Sequence, residues 1–318
     1  MDKKKIIIFS IKGKKYGHGH FIRSRNLKNN LICSHTKIKL VTFNSDNYVD
    51  EKLNNFFTKE NKEVLFIFDI SNYFFFNNKK ILKSLKKIFK KKFKILIIDG
   101  FDRNCLKNKI DTKNIKYVYP YFSKLNKKNI FSGTKYFIFD KQLKKISKKI
   151  PKISKKILIT FGGSDLNNVS FKFANLLVQN FKNLKITVIV GPFFSKSNIK
   201  NLNKIKNIKI LNYKDNIHKY FNSNDFFITS GGLTKYELCL TNKQILVYVK
   251  TKSEINENKL FKEKKLAFYL NSRNSEVEII NFFKKNLIKK TSKKVITNRK
   301  KYFDHKGSHR ILNLISEK

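Results

Sequence analysis

Two glycine-rich turns in the C-terminal half of the chain have the residue types expected of a site for a phosphorylated ligand. Residues 161–165 read Phe-Gly-Gly-Ser-Asp, and residues 230–237 read Ser-Gly-Gly-Leu-Thr-Lys-Tyr-Glu. Each turn follows an apolar run with strand character and precedes a helical pattern. Backbone N–H groups at a helix N-terminus lack helical partners, and the helix dipole there favours a negative ligand. Together the two turns predict a diphosphate that is bound from two sides.

The first of these turns also has a purely structural interpretation, because Ser164 or the aspartate after it could simply cap the following helix. The second turn is more specific, since Gly231 and Gly232 permit a ligand to approach the backbone closely and Thr234 adds a hydroxyl. Glu237 follows one helical turn later, where a carboxylate can accept hydrogen bonds from ribose hydroxyls. The alternative for Glu237 is an ordinary solvated glutamate on a helix.

A third turn, Gly17-His18-Gly19-His20, follows the first apolar run of the chain. An imidazole has an ordinary pKa of about 6.5 and can take a proton from water, so His20 is predicted to be a general base. The competing interpretation of His20 is a surface or helix-capping histidine. His18 is interpreted as the variable residue between two glycines. We expect no metal site here, because side chains two residues apart in a tight turn diverge.

An acidic side chain follows a later apolar run, at residues 93–98, which ends in Asp99-Gly100-Phe101-Asp102. In open α/β sheets, ligands bind beyond the carboxyl ends of the strands. Asp99 is therefore predicted to be a second catalytic residue. Asp102 has a simpler alternative as the cap of a turn.

The length and composition of the chain indicate a folded protein of two domains. A chain of 318 residues suits two domains of about 150 residues each. The 41% of hydrophobic residues is enough to build cores. Three scattered cysteines argue against a disulfide framework and for a reducing compartment. Without a signal-peptide core or an apolar run of about 18 residues, the sequence predicts a cytoplasmic protein with no membrane span.

The net charge of +49 first suggests a nucleic-acid-binding protein. Only six of the 71 basic residues are arginine, however, and the other 65 are lysine. Arginine is the residue that grips phosphates and reads bases with two hydrogen bonds, and nucleic-acid binders cluster it in a patch. Lysines spread over the whole chain together with Asn, Ile and Phe are what an AT-rich coding sequence produces. We therefore favour an anionic small-molecule substrate and no specific nucleic acid, with nucleic-acid binding kept as an alternative.

Short runs of Ile, Leu, Val and Phe alternate with helical patterns along both halves of the chain. Such strands are typical of parallel sheets covered on both faces, which predicts an α/β fold with doubly wound sheets. A charged, proline-containing stretch at residues 144–156 is interpreted as a linker, which places the domains at residues 1–148 and 149–318 with an active site in the cleft between them. Predicted strands are 5–10, 38–43, 64–69, 93–99, 117–119, 157–161, 186–190, 208–211, 226–230 and 245–249. Predicted helices are 21–31, 78–91, 169–181, 233–239, 257–264, 276–284 and 308–315, the last packing back on the N-terminal domain.

Four motifs occur in order along the chain and carry a family resemblance. They are Gly17-x-Gly-His-x-x-Arg, Phe161-Gly-Gly-Ser-Asp, Ser230-Gly-Gly-x-Thr-x-x-Glu and Asp304-x-x-Gly-x-x-Arg. This series resembles the nucleotide-sugar hydrolases of pseudaminic acid biosynthesis, which cleave UDP-2,4-diacetamido-2,4,6-trideoxy-β-L-altropyranose. Those hydrolases are relatives of the N-acetylglucosaminyltransferase that completes the peptidoglycan lipid precursor. The likeness extends over nearly the whole chain.

The resemblance implies a GT-B fold, with two Rossmann-like domains, no metal, no cofactor and UDP held mainly by the C-terminal domain. It implies that His20 positions or deprotonates the water that attacks the anomeric carbon, and that Glu237 binds the ribose. The expected diphosphate contacts are Gly162, Gly163, Ser164, Gly231, Gly232 and Thr234. The expected sugar contacts are Gly19, Arg23, Glu254 and Asn256. We expect a monomer whose small-molecule partner is a UDP-sugar.

The chain departs from the family pattern at four positions. Phe101 stands where the family commonly has tyrosine, Leu233 where it has serine, Asn256 where it has glutamine, and His305 where it has glycine. These departures bear on the sugar and the reaction rather than on the fold. A GT-B glycosyltransferase that passes the sugar from UDP to a hydroxyl acceptor is therefore the alternative to a hydrolase.

Overall fold

The chain folds into two compact units, each built around one parallel sheet. The computed structural model describes residues 4–13, 17–32, 36–44, 49–58, 64–70, 83, 93–98, 115–123, 129–213 and 217–316. The first unit comprises Met1–Lys141 together with Asp304–Lys318, and the second comprises Gln142–Phe303. Each contains a sheet of six strands. All strand pairs in both sheets are parallel.

The sheet of the first unit has the strand order β2-β1-β3-β4-β5-β6. Its strands are β1 (Lys4–Ile11), β2 (Thr36–Phe43), β3 (Leu65–Asp69), β4 (Lys94–Ile98), β5 (Ile115–Tyr119) and β6 (Ile130–Ser132). Side chains alternate between the faces of a strand, and both faces of β1 are buried. Ile7 and Phe9 join one core cluster and Ile6 and Ile8 join another, which explains why β1 reads as a continuous apolar run.

Helix α1 (Gly19–Leu31) packs on this sheet and is followed by α2 (Val49–Thr58). The stripe of α1 that faces the sheet includes Arg23, Leu27 and Leu31, which are spaced four residues apart and are all buried. An arginine on the apolar stripe of a helix needs polar partners inside the protein. Those partners form the candidate site described below.

The sheet of the second unit has the strand order β12-β11-β10-β7-β8-β9. Its strands are β7 (Lys156–Thr160), β8 (Lys185–Val190), β9 (Ile208–Asn212), β10 (Phe226–Thr229), β11 (Gln244–Val249) and β12 (Phe268–Asn271). Its helices are α3 (Val169–Asn180), α4 (Lys196–Asn203), α5 (Lys219–Ser223), α6 (Thr234–Leu238), α7 (Lys252–Glu257), α8 (Lys259–Glu263), α9 (Glu276–Asn286) and α10 (Lys293–Tyr302). Phe173 and Phe283 from the helices pack with Phe226 of the sheet in one core cluster.

The last helix, α11 (Gly307–Ser316), belongs to the first unit, where it packs against α1 and the 3-10 helix Thr134–Tyr136. The fourth sequence motif anchors it. Arg310 donates two hydrogen bonds to the carboxylate of Asp304, at 2.7 and 2.6 Å. A β-carbon built on Gly307 would lie only 2.0 Å from the carbonyl oxygen of Phe137. Arg310 also donates to the carbonyl of Lys135 at 2.8 Å, so the motif attaches α11 to the segment around the 3-10 helix.

The predicted fold class, with two doubly wound parallel sheets, is confirmed. The short strands β6 and β12 and the helices α2, α4, α5, α7 and α10 were not predicted from the sequence. The helix predicted at residues 257–264 corresponds to α8, which begins after Asn258, the residue where α7 ends. The helix predicted at residues 78–91 lies outside the described residues apart from Lys83. Within the described part of the chain, the helices are too short or too polar to cross a membrane.

Candidate functional site

The first candidate site lies where the strand order of the first sheet reverses. The chain passes from β1 to β2 on one side and afterwards to β3 on the other, so β1 and β3 are neighbours that are not consecutive in sequence. Ligands of open α/β sheets bind at such a switch point, beyond the carboxyl ends of the two strands. The turn that carries His20 follows β1, and Asp69 is the last residue of β3, paired in register with Ser10.

Asp69 is fully buried and collects side chains from the first turns of α1. One carboxylate oxygen, Oδ1, lies 2.8 Å from Nδ1 of His20 and 2.5 Å from Nη2 of Arg23. The other, Oδ2, accepts hydrogen bonds from Nε of Arg23 and Oγ of Ser24, both at 3.0 Å. The cluster thus joins the end of β3 to three residues of α1.

The charge of Asp69 determines which nitrogen of His20 carries the proton. Burial by itself raises the pKa of Asp69, but the Arg23 charge and the hydrogen bonds from His20 and Arg23 together hold that pKa below its ordinary value. Nδ1 of His20 lies 2.8 Å from Oδ1 of Asp69 and 3.1 Å from Nη2 of Arg23. An ionised carboxylate can only accept hydrogen bonds, so the shorter of the two contacts favours the tautomer in which Nδ1 donates to Asp69. Neutral His20 then has an unprotonated Nε2, which is the form required of a general base.

Arg23 is bonded on a second side as well. Its Nη1 donates to the hydroxyl of Tyr121, and its guanidinium carbon lies 5.8 Å from the centre of the Tyr121 ring. Arg23 is only 2% exposed. Its guanidinium therefore links Asp69 to Tyr121, in the segment that follows β5. The predicted sugar contact of Arg23 stays a prediction, as does that of Gly19, the first residue of α1.

Asp99, the second predicted catalytic residue, lies outside the described residues, as do Phe101 and Asp102. The carboxylate that the structure brings to His20 is Asp69, which the sequence analysis did not select. The signal was available, because Asp69 also ends an apolar run. His18 lies at the start of α1 without a capping hydrogen bond from its side chain, and its ring packs 5.2 Å from that of Phe21.

The second candidate site lies at the corresponding switch point of the second sheet. The neighbours there are β7 and β10, with Thr160 paired in register with Thr229. The two glycine-rich turns leave these adjacent strand ends, so they emerge side by side. Gly162 has a φ of 74°, and a β-carbon built on it would lie 4.0 Å from Oγ of Ser230. The structure thus brings the predicted diphosphate residues of the two turns together.

The first turn does not lead directly into a helix N-terminus, contrary to the prediction. Helix α3 begins only at Val169, and Asp165 caps it by accepting from the backbone N–H groups of Val169 and Ser170 at 2.9 and 2.8 Å. The N-terminus of α3 is therefore occupied by the protein's own carboxylate. Any anion near Gly162, Gly163 and Ser164 would be bound by the turn itself. The capping alternative holds for Asp165.

The first turn packs closely against the loop after β8. Phe193 donates its backbone N–H to the carbonyl of Gly163 at 2.8 Å. A β-carbon on Gly191 would lie 2.2 Å from the carbonyl oxygen of Gly162, so the packing requires a residue without a side chain. No role for Gly191 was predicted from the sequence. Its position shows that the shape of the turn is fixed by backbone contacts.

The second turn leads directly into α6, whose first residue is Thr234. Glu237 is buried, with 8% of its surface exposed, which excludes the alternative of a solvated glutamate. Its Oε1 lies 3.8 Å from Nε2 of His218, which is also buried. A buried carboxylate beside an imidazole is held in a defined orientation. The predicted ribose contact of Glu237 stays a prediction.

The predicted sugar contacts on α7 have different surroundings. Oε2 of Glu254 accepts from the backbone N–H groups of Lys250 and Thr251 at 2.6 and 3.1 Å, which completes a capping box at the start of α7. Asn256 is exposed. Nζ of Lys250 lies 3.6 Å from Oδ1 of Asp165, so the start of α7 is linked to the first turn. Among the described residues, no three His, Cys, Asp or Glu side chains group into a metal-binding cluster.

Comparison with known proteins identifies the fold. No protein-family model matches the chain. An uncharacterized protein of Methanocaldococcus jannaschii is 28% identical over 284 residues, covering 76% of this chain and 55% of that protein. The chain thus spans about half the length of this curated relative.

Similar solved structures cover almost the entire chain. Arabidopsis thaliana UGT89C1 complexed with UDP-L-rhamnose has a TM-score of 0.66 at 10% identity and covers 99% of both chains. MurG of Acinetobacter baumannii has a TM-score of 0.63 at 11% identity and covers 98% of this chain and 99% of its own. The chain has a GT-B fold. A UDP-N-acetylglucosamine 2-epimerase is also similar, with a TM-score of 0.57 at 13% identity and coverage of 98% and 95%.

Proposed function

We propose that this GT-B protein is a UDP-sugar hydrolase that releases UDP and the free sugar. The observation that carries the proposal is the His20–Asp69 pair, in which a buried, ionised carboxylate lies 2.8 Å from Nδ1 of His20 and favours the neutral tautomer whose Nε2 can accept a proton. The pair lies at the switch point of its sheet, where this class of fold binds ligands. The two adjacent glycine-rich turns of the second unit are the proposed site for the diphosphate, and Glu237 is the proposed partner of the ribose.

The proposed reaction is a single displacement at the anomeric carbon. Nε2 of His20 takes a proton from water while the water oxygen forms a bond to that carbon. The bond from the anomeric carbon to the β-phosphate oxygen breaks, and its electron pair leaves with UDP. Hydrogen bonds from the glycine-rich turns would stabilise the charge that develops on the diphosphate.

The identity of the sugar rests on the family resemblance rather than on geometry. It points to a diacetamido-trideoxy sugar, as in pseudaminic acid biosynthesis. Gly19, Arg23, Glu254 and Asn256 are the proposed sugar contacts. A second candidate function is glycosyl transfer, because the same imidazole could deprotonate a hydroxyl acceptor. Among the similar structures, UGT89C1 is complexed with a UDP-sugar, which supports a UDP-sugar as the substrate in either case.

The decisive experiment follows UDP release from a panel of UDP-sugars, including the diacetamido-trideoxy sugar, without any acceptor. We expect release by the wild-type chain, and a fall of about 10²- to 10⁴-fold in kcat for His20→Ala with UDP affinity changed only a few-fold. His309→Ala is the matched control, because His309 is exposed on α11. Turnover that requires an added hydroxyl acceptor would establish the transferase instead. Near-full activity of His20→Ala would refute the role of the imidazole.

A further inference from the structure

Lys235 is a buried lysine directly behind the second glycine-rich turn. It lies in α6 and is only 3% exposed. Its ammonium group donates to the carbonyl of Gly231 and to Oδ1 of Asn258, the latter at 2.6 Å. It also lies 4.6 Å from the ring centre of Tyr236 and 5.4 Å from that of Phe261. A charge buried in this way costs desolvation free energy, so its position calls for an explanation.

The turn itself is fitted tightly against Asn258. A β-carbon built on Gly231 would lie 2.5 Å from Nδ2 of Asn258, so a larger residue would displace the turn. Asn258 is 1% exposed, and its own side chain is held in place because its Nδ2 donates to the carbonyl of Glu254 at 2.8 Å. Lys235 and Asn258 together hold the Gly231 carbonyl on the inner side of the turn.

This anchoring determines the direction of the next N–H group. In a planar trans peptide, the carbonyl and the N–H point to opposite sides. Because the Gly231 carbonyl points inward to Lys235, the N–H of Gly232 points outward. It donates to Oγ of Ser230 at 3.4 Å, and the same oxygen lies 4.0 Å from a β-carbon built on Gly162. The N–H is therefore on the side of the first glycine-rich turn.

We propose that Lys235 is a positioning residue for the diphosphate of the nucleotide. It holds the Gly231–Gly232 peptide so that the Gly232 N–H, whose acceptor in this structure is Oγ of Ser230 at 3.4 Å, can donate to an anion bound beside that oxygen. Its ammonium charge, placed in a region of low dielectric, adds long-range attraction for the same anion. This inference rests on the proposed UDP-sugar function and concerns the phosphates rather than the uridine.

The test compares the affinities of the full chain for UDP and for uridine, which lacks the diphosphate. We expect Lys235→Met to weaken UDP binding by at least about tenfold while uridine binding stays within about twofold. The control is Lys243→Met, another buried lysine of the same unit, whose ammonium donates to the carbonyls of Phe221, Asn222 and Asn224. It should leave the ratio of the two affinities unchanged, although it removes an equally buried charge.

A second variant keeps the inference testable if Lys235→Met does not fold. Asn258→Ala removes one oxygen that orients the ammonium while the charge stays, and we expect it to lower the UDP-to-uridine affinity ratio by about threefold. A folded Lys235→Met protein with the wild-type ratio would overturn the role of Lys235. An unchanged ratio in Asn258→Ala would overturn it if Lys235→Met is unfolded. Wild-type protein that binds no UDP would instead refute the proposed function itself.

Discussion

At the scale of single residues, the chemistry of the first site depends on the groups that stabilise the buried negative charge of Asp69. Removing a carboxylate from water costs several kcal/mol, and hydrogen bonds and a neighbouring cation must offset this cost. Arg23, Ser24 and His20 supply them at distances between 2.5 and 3.0 Å. The tautomer of His20 is thus set by the folded protein rather than by solvent.

Replacing this carboxylate by an amide should therefore damage catalysis. In Asp69→Asn the amide can present its NH₂ group to Nδ1 of His20, which would move the imidazole proton to Nε2. We expect kcat to fall by about 10²- to 10⁴-fold with little change in UDP affinity. The control is Ser24→Ala, which removes one hydrogen bond to Asp69 without changing its charge. Steady-state kinetics with a UDP-sugar measure kcat for both variants. An Asp69→Asn variant with wild-type kcat would contradict the assigned tautomer.

The same substitution should have a pH-dependent effect on stability. An unfolded aspartate has a pKa of about 3.9, and Asp69 in the folded chain has a lower pKa. Its ionised form therefore stabilises the fold above about pH 4, and this contribution is lost as the pH falls through the folded-state pKa. We expect Asp69→Asn to lower the free energy of unfolding by about 3–5 kcal/mol at neutral pH, with a smaller difference below about pH 4. Urea denaturation across this pH range measures the difference in free energy of unfolding between the wild type and Asp69→Asn. A difference that does not change with pH would contradict the expectation.

The sequence could predict the type of this site but not its carboxylate. Asp69 and Asp99 both follow apolar runs, and both were equally eligible as acids at strand ends. The position of Asp69 beside His20 depends on strand order, since β3 is the direct neighbour of β1, while Asp99 lies outside the described residues and stays a prediction. Strand order results from tertiary packing and is not encoded in local patterns. Lys235 was missed for a similar reason, because a lysine near a turn is ordinarily solvated.

At the scale of elements, the sequence predicted the central strands and the edge strands β2 and β9 well, but it missed the edge strands β6 and β12. The central strands are buried on both faces and read as uninterrupted apolar runs, as β1 and β11 do. The edge strand β12 is four residues long and only half-buried, and α10 carries mostly polar residues. Such elements form because a neighbour is already in place. Their own sequences carry too little periodicity to predict them.

The attachment of α11 offers a test at this scale. A methyl group on Gly307 would lie 2.0 Å from the carbonyl oxygen of Phe137, so α11 would have to move away from the first unit. We expect Gly307→Ala to lower the free energy of unfolding by about 1–3 kcal/mol, as overpacking against backbone does. His309→Ala on the same helix should be close to neutral, because His309 is exposed. Thermal unfolding compares the two variants, and equal midpoints would show that Gly307 is not a packing constraint.

At the scale of the whole molecule, the order of motifs predicted the fold because both sheets reverse their strand order next to their first strand, although the orders differ beyond that point, with one strand on the outer side of β1 and two on the outer side of β7. In each unit the first strand is flanked by its second and a later strand, and a glycine-containing turn follows the first strand. The turn with His20 and the turn with Gly162 occupy equivalent places in the two sheets. A turn motif that lies at the switch point of a sheet therefore predicts that a doubly wound sheet is present. No sequence motif marked the number of strands in each sheet or the position of its edge strands.

The net charge of +49 belongs to the whole molecule and leads to the last prediction. A positive field speeds the encounter with an anionic substrate but does not act on the bond-breaking step. Raising the ionic strength from about 0.05 to about 0.5 M should therefore lower kcat/KM for a UDP-sugar several-fold and leave kcat unchanged.

Binding to RNA, in contrast, should be non-saturating and vanish over this range of ionic strength, because it depends on releasing counterions. Filter binding and steady-state kinetics on the same preparation measure both. Tight, saturable RNA binding that survives high salt, in a chain that shows no affinity for UDP, would make nucleic acid the partner instead.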